Sequence, residues 1–275
     1  MSILSFFIFT YRLYFMLKTK FKRAPFFLLI PFIWLTLACS SDDEPELSPL
    51  DLKSFLDSND AITSQLIACA AGGDSEILAS TSLPVSIIFY PEERATDFRY
   101  FETDGLISDK RDLSLYHQID LNDVPLFGGF LRYFEQEAIE EERWGIVTYL
   151  RDGVVHYSEP IRLKYSEKPT EFNNSLLDFD QSEKLSPRFA WEDGRINENV
   201  IYFHAITDAN DNLISGTYTT DKKWQFYDLS NVVLNVRDVT PAPMLIPDGN
   251  YQYTMLAVSI DNWVNLVIKK EFDTF

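Results

Sequence analysis

Carboxylates are the most plentiful side chains of this sequence that could act as general acids or bases. The 275 residues hold 42 Asp and Glu against 24 Lys and Arg, with three His and two Cys. The densest acidic cluster consists of Glu135, Glu137, Glu140, Glu141 and Glu142. Paired carboxylates hydrolyse glycosides when they lie roughly 5 to 10 Å apart, but nothing in the spacing selects a pair. A charge run beside a strand is typical of a solvated loop.

The other reactive side chains do not form a recognisable site. His117, His156 and His204 are far apart in sequence, and Cys69 lies in an apolar run without a neighbouring base. No Gly-x-Ser-x-Gly, His-Glu-x-x-His or phosphate-binding glycine loop occurs. The sequence therefore predicts a protein that is not an enzyme and that has no metal site and no cofactor.

The segment Asp208-Ala209-Asn210-Asp211-Asn212 has alternating oxygen ligands, like the start of a calcium loop. The calcium motif needs glycine at its sixth position and glutamate at its twelfth. Here those positions hold Leu213 and Thr219. We therefore interpret the segment as a polar hairpin turn, with calcium binding as the alternative.

Two tryptophans are candidate ligand contacts. Trp224 alternates with Phe226 beside a pair of lysines, and Trp263 falls on a predicted hairpin loop, so either ring could face a sugar or a partner. For each, the alternative is packing in a core or between domains. Three other aromatic residues are predicted to be structural core: Trp144, Trp191 and Tyr251.

The net charge of −18 argues against nucleic acid as a partner, because phosphate binding depends on lysine and arginine. The charge is also unevenly distributed. Residues 1–38 hold five basic residues and no acidic one, and a basic cluster at 18–23 precedes an apolar run from Ala24 to Ala38. About fifteen residues span roughly 22 Å, short of a ~30 Å hydrocarbon core. Residues 1–38 are therefore predicted to be a cleaved secretory signal.

The sequence Leu35-Thr36-Leu37-Ala38-Cys39 resembles the lipobox of bacterial lipoproteins, in the looser form found in the Bacteroidetes. The resemblance implies that Cys39 is the lipid attachment site and that acyl chains anchor the chain in the outer membrane. The acidic stretch Ser40–Glu44 looks like the signal that exports such lipoproteins to the cell exterior. An uncleaved anchor helix with a plain buried cysteine is the alternative. A second apolar run before Met16 suggests that Met16 is the true start.

The rest of the chain is predicted to be all-β. Residues 39–60 form an acidic tether with a short helix near Leu50–Leu56. Residues 61–166 show apolar runs of period two bounded by turn residues, which predicts a first β-sandwich. Within it, Arg151-Asp152-Gly153 separates two alternating runs and predicts a tight hairpin. Residues 167–185 lose the alternation and are predicted to be a linker, and residues 186–275 hold about six further strands.

The second of these domains resembles a fibronectin type III module. The stretch from Leu245 through Pro247-Asp248-Gly249 to Tyr251 is similar to the family's tyrosine corner, in which the tyrosine hydroxyl bonds to backbone just upstream. Trp191 stands where the family carries a core tryptophan. The resemblance implies two tandem antiparallel β-sandwich domains, since residues 145–154 match residues 256–264 in kind and suggest a duplication. Fold alone does not imply function.

Together these features predict a non-catalytic, surface-exposed lipoprotein that acts as a binding or protein-interaction module at the outer membrane. The alternative is an accessory glycan-binding lipoprotein of a nutrient-uptake system. The expected partners are membrane lipid, through acylated Cys39, and a protein or a glycan.

Overall fold

The structure is a computed structural model that describes residues 50–63, 66–73, 85–137, 141–237 and 241–275. Regular structure in these ranges consists of nineteen β-strands, one six-residue α-helix and two short 3-10 helices. The chain is therefore all-β, as the alternating apolar pattern predicts. The signal segment, Cys39 and most of the acidic tether lie outside the described residues.

The helix α1, Leu52–Asp57, begins the described part of the chain. Asp51 caps it, because its Oδ1 accepts a hydrogen bond from the amide of Ser54 at 2.8 Å. Leu52 and Leu56 are buried against Phe101 and Ile146 of the first sheet. The short helix predicted within the tether thus exists, but it is docked on the body of the protein.

Ten strands form the first sandwich. They are β1 (Ala61–Thr63), β2 (Ala68–Gly72), β3 (Val85–Phe89), β4 (Thr96–Glu102), β5 (His117–Ile119), β6 (Asp123–Leu126), β7 (Leu131–Gln136), β8 (Arg143–Arg151), β9 (Val154–Tyr157) and β10 (Ile161–Leu163). Sheet I has the order β1-β9-β8-β4-β5, with β10 also paired to β8, and sheet II has the order β2-β3-β7-β6. Their facing side chains form one apolar core.

Nine strands form the second sandwich. They are β11 (Glu171–Phe172), β12 (Leu177–Asp180), β13 (Arg188–Trp191), β14 (Asn199–Asp208), β15 (Leu213–Thr219), β16 (Lys223–Gln225), β17 (Val232–Asn235), β18 (Asn250–Ser259) and β19 (Val264–Asp273). Sheet III has the order β11-β19-β18-β14-β15-β17, and sheet IV has the order β12-β13-β16. A second aromatic-rich core fills the space between them.

The two sandwiches share a strand plan. In each, a short first strand pairs in parallel with the second strand of a hairpin, at β1 with β9 and at β11 with β19. That hairpin is β8–β9 in the first sandwich, where β10 follows it, and β18–β19 in the second. The shared plan is what duplication of one module would produce.

A third apolar core joins sheet II to sheet III, so the four sheets stack face to face. It contains Ile88 and Leu131 from sheet II and Phe203, Leu256 and Val267 from sheet III. Because strand side chains alternate between faces, neighbouring residues of β3 enter different cores. Val85, Ile87 and Phe89 point into the first sandwich, and Ile88 points toward the second. The two inner sheets are therefore buried on both faces.

The hairpin β8–β9 turns through Asp152 and Gly153, with Arg151 opposite Val154. The φ values of Asp152 and Gly153 are 52° and 84°, the left-handed conformation that a two-residue turn of this type requires. This is the hairpin that the Asp-Gly pair predicts.

The predicted linker, residues 167–185, differs from the structure. It contains β11 and β12, which pair with β19 and β13 respectively. These strands have two and four residues. Such runs are too short for alternation to stand out among the turn residues around them.

Candidate functional site

The turn between β18 and β19 fastens the second sandwich to the first. The amide of Ala70 in β2 donates to the carbonyl of Asn262 at 3.0 Å, and the amide of Arg162 in β10 donates to the carbonyl of Asp261 at 2.9 Å. The turn thus lies between two strands of the first sandwich and continues their hydrogen bonding.

Trp263, at the end of this turn, is fully buried. Its ring packs in the core of the first sandwich with Val85, Tyr149 and Leu163, although Trp263 belongs to the chain of the second. Its indole N–H donates to the carbonyl of Lys168 at 2.8 Å. The structure does not place this ring where a ligand could contact it. It supports the packing alternative.

Polar contacts surround this tryptophan. Lys164 and Asp261 form a 2.6 Å ion pair whose side chains are 5 % and 15 % exposed. The Thr170 hydroxyl donates to the carbonyl of Val264 at 2.7 Å and accepts from the amide of Gly72 at 3.0 Å. The charged groups of Lys164 and Asp261 and the hydroxyl of Thr170 are therefore paired, and these contacts stabilise one arrangement of the two sandwiches.

A groove of about 760 Å³ lies elsewhere between the two sandwiches, and both of them line it. We call it the junction groove. Tyr90, Arg94, Phe98, Phe130 and Arg132 come from the first sandwich, and Asn235 and Arg237 come from the second. Its volume lies in the usual range for small-ligand sites, and such sites often occur between domains.

Stacked side chains form part of the groove. The rings of Tyr90 and Phe130 stack with centroids 5.9 Å apart. The Arg237 guanidinium also contacts Phe130, at 5.4 Å from the ring centroid. The Tyr90 hydroxyl donates to the carbonyl of Val236 at 3.2 Å. Burial and the nearby Glu93 raise the pKa of Tyr90, so this hydroxyl stays protonated and remains a donor.

Most charges around the groove are paired. Arg94 bonds to Asp152 at 3.0 Å, Arg132 pairs with Asp123, and Glu92 pairs with Arg151. Arg237 donates through one terminal nitrogen to the carbonyl of Leu213. Within the described residues, Arg237 has no carboxylate at ion-pair distance, and its Nε has no hydrogen-bond acceptor.

Trp224, the other candidate ligand contact, is 2 % exposed and belongs to the core of the second sandwich. Its ring is nearly parallel to His204, with centroids 5.3 Å apart, and contacts Phe189. The ring borders the pocket on sheet IV but exposes almost no surface to it. For Trp224, the alternation with Phe226 marks an inward-facing strand position.

His204 is completely buried beside Trp224. Its Nε2 lies 3.0 Å from the Thr219 hydroxyl, which itself donates to the carbonyl of Asp221 and therefore accepts from the imidazole. Its Nδ1 lies 2.9 Å from the Tyr253 hydroxyl, the remaining donor. Burial lowers the pKa of His204 to about 3. The imidazole is thus a neutral part of the core.

The aromatic residues assigned to structural positions occupy the following places. Trp191 and Tyr251 are buried in the core of the second sandwich. The Tyr251 hydroxyl accepts a 3.0 Å hydrogen bond from the amide of Ile246, which is the backbone contact that a tyrosine corner requires. Trp144 is half-buried against the cluster under α1 and receives the Lys110 ammonium 5.0 Å from its ring.

The carboxylate clusters do not converge on a site. Asp208 accepts from the amides of Asn210 and Asn212 at 2.8 and 3.0 Å, so it organises a turn. Glu142 is buried and bonds to Arg162, whereas Glu135, Glu137 and Glu141 are exposed. Glu140 lies outside the described residues. Among the residues that are described, no three His, Cys, Asp or Glu side chains gather as metal ligands would.

The histidines and the cysteine are also separate. His117 and His156 lie on β5 and β9, with two strands of sheet I between them, and His204 lies in sheet III. Burial raises the pKa of the Cys69 thiol to about 12, so it remains a thiol at physiological pH. Cys39 is outside the described residues.

Sequence reasoning did not find the junction groove. Tyr90 and Arg237 are 147 positions apart and Phe130 lies between them, so no local spacing joins them. Gly128 and Gly129 before Phe130 have positive φ values of 67° and 89° and were a visible turn signal. Nothing in the sequence indicated what that turn would face.

No protein-family model matches the sequence, and no curated protein matches it. Among solved structures, a two-domain fibronectin type III segment of chicken tenascin matches 74 % of this chain and 99 % of its own length, with 11 % identity and a TM-score of 0.27. The FN1–FN3 domains of chicken CNTN1 match 78 % of this chain and 67 % of their own, with 12 % identity and a TM-score of 0.29. The strands described above establish the all-β class.

In the part of the chain that the structure describes, no helix has the length and apolar character to cross a membrane.

Proposed function

We propose that this chain is a non-catalytic binding protein, held at the outer face of the outer membrane by acyl chains on Cys39. The support for the anchor comes from the sequence around residues 18–44, with its basic cluster, apolar run, cysteine and acidic stretch. Several acyl chains are needed for lasting attachment, since one chain binds a membrane only weakly.

The observation that carries the binding role is the junction groove. Two sandwiches fixed face to face create a concave surface that neither could form alone. The hydrogen bond from Tyr90 to the carbonyl of Val236 and the contact of Arg237 with Phe130 join its two walls. A preorganised groove loses little conformational entropy when it binds a partner.

The anchor is tested by metabolic labelling with palmitate in cells that express the full chain. We expect label on the natural chain and none on Cys39→Ala, which should also leave the membrane fraction. Cys69→Ala is the matched control, because Cys69 lies in strand β2 in the body of the protein, and its replacement should not change labelling. Equal labelling of Cys39→Ala and the natural chain would contradict lipid attachment at Cys39.

The binding role is tested by photo-crosslinking on intact cells. A photoreactive amino acid at Glu93, on the exposed rim of the groove, should capture a specific partner. The same group at Ser182, exposed in the β12–β13 turn, should capture none. Identical products from the two positions, or none from either, would contradict a role for the groove.

The second candidate is an accessory glycan-binding protein of a nutrient-uptake system. A pocket of about 550 Å³ on sheet IV favours it, because Asp178, Asp180, Gln225 and Asn231 line it and such side chains can bond sugar hydroxyls. Replacing Trp224 or Trp263 cannot test this, since both are core residues. Instead, a glycan array should show a signal that Asp180→Asn abolishes, and an array without signal would leave the protein partner as the candidate.

A further inference from the structure

We propose that the junction groove binds a carboxylate side chain carried on an extended acidic segment of a partner protein, with the Arg237 guanidinium as the anion-binding group. This inference rests on the proposed binding function and names the chemistry of its ligand.

Among the residues that the structure describes, no carboxylate compensates the charge of Arg237. The other guanidinium groups that line the groove, Arg94 and Arg132, each bond to an aspartate. Arg237 bonds to a neutral backbone carbonyl and stacks on Phe130, and no carboxylate of the described residues is at ion-pair distance. A half-buried cation without a counter-ion is costly, and an incoming carboxylate would remove that cost.

Two N–H groups beside the groove have no hydrogen-bond acceptor among the described residues. Asn235 Nδ2 and Arg237 Nε are both buried and have no hydrogen-bond partner in the described structure. The Oδ1 atom of Asn235 accepts a hydrogen bond from the backbone amide of Arg237 at 3.2 Å, and its Nδ2 atom has no acceptor among the described residues. Both residues line the groove, so a small rotation of either side chain would present these N–H groups to a carboxylate, which only accepts hydrogen bonds.

The aromatic residues favour a peptide over a sugar. One side of Phe130 contacts Tyr90, and the ring also contacts Arg237. Phe98 likewise contacts Phe89 and carries the Arg132 guanidinium at 5.1 Å. These rings are engaged by neighbouring side chains, so they do not offer the free face on which a sugar ring would stack. The open groove between two sandwiches instead suits an extended chain.

One carboxylate of this protein opposes such a ligand. Glu93 is exposed on the rim and close enough to Tyr90 to raise the pKa of its hydroxyl. It would repel an acidic segment. Its removal should therefore strengthen binding, which a variant that merely damages the fold would not do.

The test uses fluorescence polarisation with the soluble part of the chain from residue 40 onward and a labelled peptide of alternating glycine and glutamate, about ten residues long. The matched probe replaces each glutamate with glutamine. We expect binding of the glutamate peptide alone, weakening as salt is added. Arg237→Gln should weaken it by about tenfold or more, as expected for loss of a charged hydrogen-bonding group.

Three further variants separate binding from folding. Glu93→Gln should bind the glutamate peptide more tightly. Asn235→Asp retains the acceptor for the Arg237 amide but adds a negative charge, and it should bind more weakly. Arg188→Gln removes the same charge from sheet IV, outside the groove, and should leave the affinity unchanged. Melting temperatures of all variants identify any that are misfolded.

Several outcomes would overturn the inference. Equal binding of the two peptides, or no binding of either at millimolar concentration, would exclude carboxylate recognition. Equal losses in Arg237→Gln and Arg188→Gln would show only general electrostatics. Binding of oligogalacturonate but not of the glutamate peptide would assign the site to a glycan. If Glu93 crosslinks to a protein while the acidic peptide fails, the proposed function remains and this inference falls.

Discussion

Trp263 serves two sandwiches at once, because its backbone belongs to the β18–β19 turn and its ring fills the core of the other sandwich. Tryptophan in a predicted hairpin turn indicates exposure, since turns usually lie at the surface. Here the turn abuts another part of the same chain. Local sequence could not show this, because the strands that cover the ring are about a hundred positions or more away.

Removing this ring should lower the free energy of unfolding strongly. We expect Trp263→Ala to cost about 3 to 5 kcal/mol, because it leaves a large cavity and an unpaired Lys168 carbonyl. Urea denaturation measures the change. Ile260→Ala, in the same turn but 81 % exposed, is the control and should change stability by less than about 0.5 kcal/mol. Similar losses in both variants would contradict the assignment.

His204 should make stability fall as the solution is acidified. Its pKa is about 3 in the folded protein and close to 6.5 when exposed. Below pH 6.5 the unfolded chain therefore binds a proton that the folded chain does not, which favours unfolding. From pH 7.5 to pH 5 this should cost about 2 kcal/mol.

The measurement is urea unfolding at both pH values for the natural chain and for His204→Gln. The variant will be less stable overall, but its loss between the two pH values should be smaller by about the amount given above. An unchanged pH dependence would show that the imidazole is not the buried neutral group. His156, whose pKa burial lowers too, contributes equally to both proteins.

At the scale of elements, turn chemistry was the most informative signal in the sequence. Asp152-Gly153 gave the β8–β9 hairpin, and the Pro247–Tyr251 stretch gave the start of β18 with its hydroxyl contact. Each depends only on residues within a few positions. Strands β1, β5, β6 and β16 have three or four residues and were not predicted, because their pairing partners, rather than their own pattern, make them strands.

The hairpin turn offers a test free of packing effects. Gly153 has φ of 84° and nothing within 4 Å of a Cβ placed there, so Gly153→Ala introduces backbone strain alone. We expect a loss of about 1 kcal/mol in thermal or urea unfolding. Gly105→Ala, where a Cβ would meet only ordinary contact distances, should be nearly neutral. A neutral Gly153→Ala would mean that the turn takes another form.

At the scale of the whole molecule, composition and periodicity were enough to predict an all-β chain with two sandwiches. They did not predict that the sandwiches stack through a third core. Apolar residues on both faces of β3 and β14 were the available signal, since the neighbours Ile87 and Ile88, and likewise Tyr202 and Phe203, are both buried. A continuous apolar run indicates only that a strand is buried on both faces. It does not indicate which part of the chain covers the second face.

Because of this shared core, the two sandwiches should unfold together. We expect a single transition in urea, with coincident curves from tryptophan fluorescence and from far-ultraviolet circular dichroism. The fluorescence reports on both halves, as Trp144 is in the first sandwich and Trp191 and Trp224 are in the second. Two separated transitions would show that the interface contributes little.

The double burial of sheet II also matters while the chain is being made. The last strand of the first sandwich ends at Leu163, and the strands that cover Ala71, Ile88 and Leu131 begin only at Asn199 and end at Asp273. Synthesis proceeds from the amino terminus, so this apolar face stays uncovered until residues 199–273 have emerged. A nascent or truncated chain therefore exposes an apolar surface. A cell that produces the protein must shield this surface, because the chain would otherwise aggregate.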